Sequence, residues 1–362
     1  MPSGCVFQLD QVVRGRVLES LKRAMATAAI LAAELRQVAG ASAQAGSGVT
    51  LGHFLDETGR DVDDVYERAG GWSTLRSNAG IGEKIDEDTE DLSGRLKRLL
   101  HTDDATRLLL WKNAAGAEQA AANPVYARRL SMVDFQLNER GILREAADVP
   151  KWLFDRAPIR DELSQLSDVL TERIGLADET DPVAEWPLAL HRHYKRREIV
   201  AAVGFVMPGK KGVAPQAGIL GLPDEKRETL FVTLDKSGSS FSPTTRDRDY
   251  AISPTLFHWE TQSAASISRP SGRRYLESPQ NGWSFFLFVR SDPESPYAFL
   301  GPVVLEAASG QRRSADRHHV APGARDDRRA VRAVRDARAG LSGRAPRVAS
   351  HSRRMLGVAA VA

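Results

Sequence analysis

Two stretches of this chain carry residue types at spacings that phosphoryl chemistry uses. Pro208-Gly-Lys-Lys-Gly212 sets lysines between glycines, as a phosphate-cradling loop does, but it lacks the first glycine and the hydroxyl that would hold magnesium. It reads as a polar turn. His193-Tyr-Lys195 has the His-x-Lys spacing of a phosphodiesterase, yet Val200 stands where that chemistry needs an aspartate. A solvated helix face accounts for it better, and His191 and His193 read as surface or capping residues. No Walker B sequence is visible, and no nucleophile stands beside a positioned base. The single cysteine, Cys5, excludes an intrachain disulfide, and no Cys/His cluster has zinc spacing. The residues therefore argue for a non-catalytic protein, with no cofactor and no metal.

The elements that would position any site fall into two kinds. Leu9, Val13, Val17, Leu21 and Met25 recur at i+4, with Asp10 as cap and Gly40 as stop, and residues 41–48 read as a Gly/Ser/Ala linker. Short helical patterns follow over residues 50–58, 62–68 and 72–78. An acidic strip at residues 83–91 precedes Leu92, Leu96, Leu99 and Leu100 on one helical face, and another helix is expected over residues 105–111. Pro158 opens a helix whose stripe is Leu163, Leu166, Leu170 and Ile174, ended by Gly175. Trp72, Trp111 and Trp152 read as core or docking residues. A helix-turn-helix over residues 50–80 with Arg76 facing DNA is the weaker reading, because that stretch is not basic.

Past residue 186 the pattern changes to period 2. In Thr229-Leu-Phe-Val-Thr-Leu-Asp235, Leu230, Val232 and Leu234 share one face, and residues 283–289 and 297–305 read as further strands. A short helix is expected within residues 191–203. The fold class is thus α+β: a helical N-terminal half, then an aromatic-rich, mostly antiparallel β-domain closing partly into a barrel. No apolar run reaches the roughly 20 residues of a membrane helix, and the N-terminus lacks a signal peptide's basic patch and apolar core. A cytoplasmic protein that meets no membrane is expected. The 362 residues carry a net charge of +3. Residues 312–362 alone hold 13 arginines against 4 aspartates, a net +9, and none of the aromatics, which leaves the preceding residues at −6. Such a tail reads as disordered, as a basic arm for nucleic-acid phosphates, or as an off-frame segment.

Phe241-Ser-Pro-Thr-Thr-Arg-Asp-Arg-Asp-Tyr-Ala-Ile-Ser253, Thr255-Leu-Phe-His-Trp259 and Gln262-Ser263 together resemble one family. It is the C-terminal domain of unknown function carried by bacterial DEAD/DEAH-type superfamily-two helicases. Leu230-Phe-Val-Thr-Leu-Asp-Lys-Ser237, Ser271-Gly-Arg-Arg-Tyr275, Phe288-Val-Arg290 and Pro296-Tyr-Ala-Phe-Leu-Gly301 fit it in order. So do Pro187-Leu-x-Leu-His191 with Tyr194, Arg196 and Glu198, and, upstream, Phe54-Leu-x-x-Thr-Gly59 and Trp72-Ser-x-Leu-Arg76. Gly4-Cys-Val-Phe-Gln-Leu-Asp10 is similar to the sequence just past the last helicase motif. The resemblance implies four parts: residues 1–45 ending a motor, 46–180 a helical coupler, 181–311 the β-rich domain, and 312–362 the tail. It further implies that the chain begins where the motor ends. Past Gly310 the family's Trp-Arg-Leu strand is missing, and permitted codons for residues 312–322 read one base later spell such a strand, so a frame-shifted terminus is expected.

Helicases of this architecture include type IV restriction enzymes, whose recognition domain is similar to the SRA fold (a PUA-like barrel) and flips a modified base. The resemblance thus implies a DNA-recognition and coupling fragment of a defence protein, with DNA and a helicase motor as partners. The alternatives are an interaction module for a separately encoded motor, or a decayed remnant. A flipped base needs stacking and edge hydrogen bonds to offset an extrusion cost of a few kcal/mol. On this reading Asp249 accepts from a cytosine amino group, Tyr250 or Trp259 stacks, and Gln262 or His258 hydrogen-bonds. Arg246 and Arg248 reach the flanking phosphates. The competing reading makes the aromatics core and pairs Asp249 with an arginine. Asp247 departs from the family, which commonly has an aromatic there, and the near-neutral charge of residues 181–311 predicts modest affinity.

Overall fold

The computed structural model describes residues 26–44, 46, 48–112, 122–138, 141–174, 181–235, 249–253, 256–259, 274–275, 277–278, 280–310, 327–334 and 358–361. The chain divides into two compact units, residues 1–177 with 206–212, and residues 178–205 with 213–362. Among the described residues no helix is long and apolar enough to cross a membrane. The stripe from Leu9 to Met25 lies outside the described residues.

The first unit is helical, and four of its helices start at a side chain that caps them: Thr50, Asp61, Asp86 and Asn123. Helix α1 (Ala28–Gln44) runs through Gly40 and into the expected linker; alanine-rich chain on either side outweighs the propensity cost of one glycine. Helix α2 (Leu51–Thr58) starts at Thr50, whose hydroxyl accepts from the His53 N–H, and ends at Gly59 with φ of 59°. Helices α3 (Val62–Arg68) and α4 (Trp72–Ala79) follow. Asp86 caps α5 (Glu87–Arg95), which tightens into a 3-10 turn over Leu96–Leu99. Helix α6 spans Ala105–Lys112. Helices α7 (Pro124–Leu137) and α8 (Asp148–Phe154) are additions to the sequence reading, although Asn123-Pro124 is a strong start: the Asn123 side chain accepts from the Val125 and Tyr126 N–H groups.

Helix α9 (Ala157–Glu172) is the hub, packing against α2, α4, α5, α6 and α8. Its Leu163, Leu166 and Leu170 are buried with Phe54, Trp72, Leu96 and Trp111 in one core. Burying a leucine side chain stabilises by about 1.5–3 kcal/mol, so this stripe sets the unit's stability. Trp72 and Trp111 are core residues as expected, while Trp152 stays partly exposed. The Arg76 guanidinium pairs with Asp161 at 3.2 Å. The Pro208–Gly212 turn is strapped to residues 141–143, with the Gly212 N–H on the Gly141 carbonyl at 2.7 Å and the Gly209 N–H on Leu143 at 2.9 Å. A Cβ at Gly212 would meet the Phe135 ring at 3.0 Å, which explains the glycine there.

The second unit is a mixed sheet of β1 (His193–Tyr194), β2 (Ile219–Leu222), β3 (Arg227–Thr233), β4 (Tyr250–Ser253), β5 (Leu256–His258), β6 (Ser284–Arg290), β7 (Tyr297–Gly310), β8 (Asp327–Val334) and β9 (Val358–Val361). The order is β2-β3-β6-β7-β8-β9-β5-β4, with β1 on β7. Among the described strands the sheet is open, with β2 and β4 at its edges, rather than closed as a barrel. Nor is it uniformly antiparallel: β3 runs parallel to β6 and β8 to β9. Helix α10 (Arg196–Ala202) is the expected short helix. Of the tail expected to lack stable structure, β8 and β9 are described; each carries two β-branched valines, and the long β7 pairs with both.

The sheet is covered on both faces, which changes the reading of β3. Leu230 and Val232 face one core with Tyr275, Phe285 and Leu287. Phe231 faces the other way, stacked on Phe288 at 5.5 Å and edge-on to Tyr297 at 5.3 Å. Leu234, expected on the inner face, is past the strand's end and 47 % exposed. The second face is closed by Arg196, whose guanidinium lies 4.0 Å over Phe231 and donates to the Tyr297 hydroxyl at 2.8 Å. Tyr194 and Glu198 serve the same corner, taking the Ala189 and Lys195 N–H groups respectively.

Candidate functional site

The β4–β5 hairpin pairs Tyr250 with His258 and Ala251 with Phe257, then slips register before Ser253 and Leu256. Directly opposed residues point to one face of a sheet, and here that face is outward. The Tyr250 and His258 rings stack with centroids 4.7 Å apart and planes 11° from parallel. Tyr250 is 41 % exposed, His258 partly so, and Asp249 beside them is half-buried. Period 2 sends the neighbours inward: Phe257 and Trp259 are buried in the core.

The structure thus separates the residues that the sequence grouped. Tyr250 and His258 come together on the β4–β5 hairpin at the sheet's edge, and Asp249 directly precedes Tyr250 in the chain. Trp259, 3 % exposed, offers no ring face to a ligand and packs edge-on against Tyr275 at 5.5 Å. Arg246, Arg248 and Gln262 lie outside the described residues.

Behind Trp259 stands a group that sequence reasoning missed. Glu228 on β3 is 1 % exposed, and its carboxylate is held from two sides. The Tyr275 hydroxyl donates to Oε1, and Arg274 donates to Oε2 at 2.6 Å. Arg274 in turn lies 4.4 Å over the Trp283 ring, and Tyr275 packs on Phe285 at 5.4 Å. Gly221, paired with Glu228 across β2–β3, leaves room for the guanidinium: a Cβ there would sit 3.4 Å from it. Burial pushes the Glu228 carboxyl above its usual range, against the opposing pull of Tyr275 and Arg274. Burial, followed by the Glu228 charge, pushes the Tyr275 hydroxyl well above its ordinary value. Ser271-Gly-Arg-Arg-Tyr275 carries both partners, so the motif held the signal although the acceptor lay elsewhere in the sequence.

The arrangement is a sheet edge with an aromatic pair outside and a charge-supported aromatic stack inside. It can bind a planar group on Tyr250 and offer a carboxylate from Asp249. Among the described residues, no group of three or more His, Cys, Asp or Glu is placed to hold a metal ion. Residues 188–322 match the family described as Domain of unknown function (DUF3427), which takes in β1 to β7 and the whole of this site. No curated protein matches the chain.

Proposed function

We propose that the sheet unit is a non-catalytic DNA-recognition module that reads a base, in particular a modified cytosine, and couples that reading to a helicase-type motor. The observation that carries this reading is the outward Tyr250–His258 stack, with Asp249 the residue before Tyr250 in the chain. A base stacked on Tyr250 gains about 1–3 kcal/mol, enough to offset much of the few kcal/mol that unstacking costs. Asp249 is an acceptor for the cytosine N4 amino group. Recognition in the manner of an SRA domain needs such a platform and an edge acceptor, and an open sheet edge presents both without a closed barrel. Exposed Phe205, Val213 and Leu234 in the same unit favour a second reading, an interaction module for a separate motor chain.

Fluorescence anisotropy of the full chain on duplexes with and without 5-methylcytosine tests the first reading. Tighter binding to the methylated duplex is expected, falling about 10-fold in Tyr250→Ala and in Asp249→Ala, in line with the loss of one stack or one polar base contact. Equal or absent binding by a protein whose circular dichroism shows it folded overturns it and leaves the motor-binding module.

A further inference from the structure

We infer that the helical unit holds a separate binding site for a phosphate ester of nucleotide size. A cavity of about 430 Å³ opens there, walled by Arg95 of α5, Arg144, Trp152 of α8 and Arg156, with Asp88 as its one lining carboxylate. That volume is within the range of small-ligand sites. Three guanidiniums and a tryptophan are the groups that grip a phosphate and a planar ring.

The three arginines are not equivalent. Arg144 donates to Asp134, whose side chain is fully buried, and its guanidinium stacks 3.9 Å over the Trp152 ring. Its charge is fixed in place, and it stiffens the tryptophan. Arg95 and Arg156 are paired instead with Asp91 and Asp88, whose side chains are 53 % and 83 % exposed. Ion pairs so exposed contribute little, so a phosphate can replace those carboxylates at small cost. Arg95 is meanwhile held in the wall by its bond to the Leu137 carbonyl at 3.3 Å. The site is therefore preorganised on one side and exchangeable on the other, with Asp88 as the group a ligand displaces.

The phosphate can be borne by a free nucleotide or by a nucleic-acid strand, and calorimetric titration of the full chain with AMP, adenosine and a short oligothymidylate separates them. AMP is expected to bind and adenosine not; binding by the oligonucleotide alone identifies a strand as the source. Arg156→Gln is expected to weaken binding 10-fold or more. Asp88→Asn, which removes the competitor, is expected to strengthen it about 3-fold, an outcome that misfolding cannot imitate. Adenosine binding as tightly as AMP, no heat from any probe, or unchanged affinity in both variants overturns the site. Tyr250→Ala is expected to leave AMP affinity unchanged, so this result stands or falls apart from the base-reading platform.

Discussion

Glu162 of the helical unit and Glu228 of the sheet unit are both buried, and the two are held by opposite means. Glu162, on α9, is fully buried and accepts from neutral donors: the Trp72 N–H at 2.8 Å, the Ser73 N–H at 3.1 Å and the Ser93 hydroxyl at 2.8 Å. It closes the N-terminus of α4, where unpaired N–H groups favour negative charge. Glu228 is held by a cation and a phenol whose own rings run on through Trp283 and Trp259 toward the hairpin. A carboxylate satisfied by backbone fixes where a helix begins. A carboxylate satisfied by side chains fixes those side chains, and through them the wall behind a surface site.

The largest break in this contrast is expected from Gly71→Ala. Gly71 has φ of 105°, and its Cβ would sit 2.1 Å from the Ser93 hydroxyl that holds Glu162. Strain and clash together are expected to cost more than about 4 kcal/mol, read as loss of the helical unit's cooperative urea transition. Glu162→Ala comes next, at about 3–5 kcal/mol by the same measurement, because it strands three donors in a dry site. Glu228→Ala is expected to cost less, about 2 kcal/mol, since Arg274 is 24 % exposed and water can reach it. A larger loss in the sheet unit than in the helical unit would reverse the comparison.

Titration gives the smallest and sharpest test. The folded Glu228 carboxyl lies above its ordinary value of 4.5, so below that pH both folded and unfolded chains hold the proton. As pH rises the unfolded chain releases it first, and the stabilisation is lost as pH passes through the folded value. Wild type is therefore expected to lose stability relative to Glu228→Gln as urea titrations move from pH 4 to neutrality. A constant difference across that range would show that burial does not dominate at Glu228.

Much of the helical unit is legible locally, since caps and i+4 leucines act over a few residues. Pro158 with Leu163, Leu166 and Leu170 marks α9, and Thr50 and Gly59 bound α2. The expected linker at residues 41–48 fails because helix propensity is summed over a window, not decided by one glycine. In the sheet unit the strands are legible but their surroundings are not. Alternation in β3 predicts one buried face, whereas parallel pairing with β6 puts it mid-sheet with both faces covered. The candidate site splits the same way. The sequence names Tyr250, His258 and Trp259 alike, and the pleat alone decides that two stay out and one goes in. Glu228 was invisible because nothing local ties it to a pair of residues nearly fifty positions on.

The parallel pairing of β3 with β6 also sets an order of assembly. Partner residues such as Thr233 and Arg290 are 57 positions apart, and the β4–β5 hairpin lies within that span. The β6–β7 hairpin can close early, because its partners are near in sequence. Strand β3 must wait for a long loop to close, a step that slows folding. The β4–β5 hairpin is equally local, but Phe257 pairs with Val358 far along the chain, so the surface that carries Tyr250 is expected to join the sheet late.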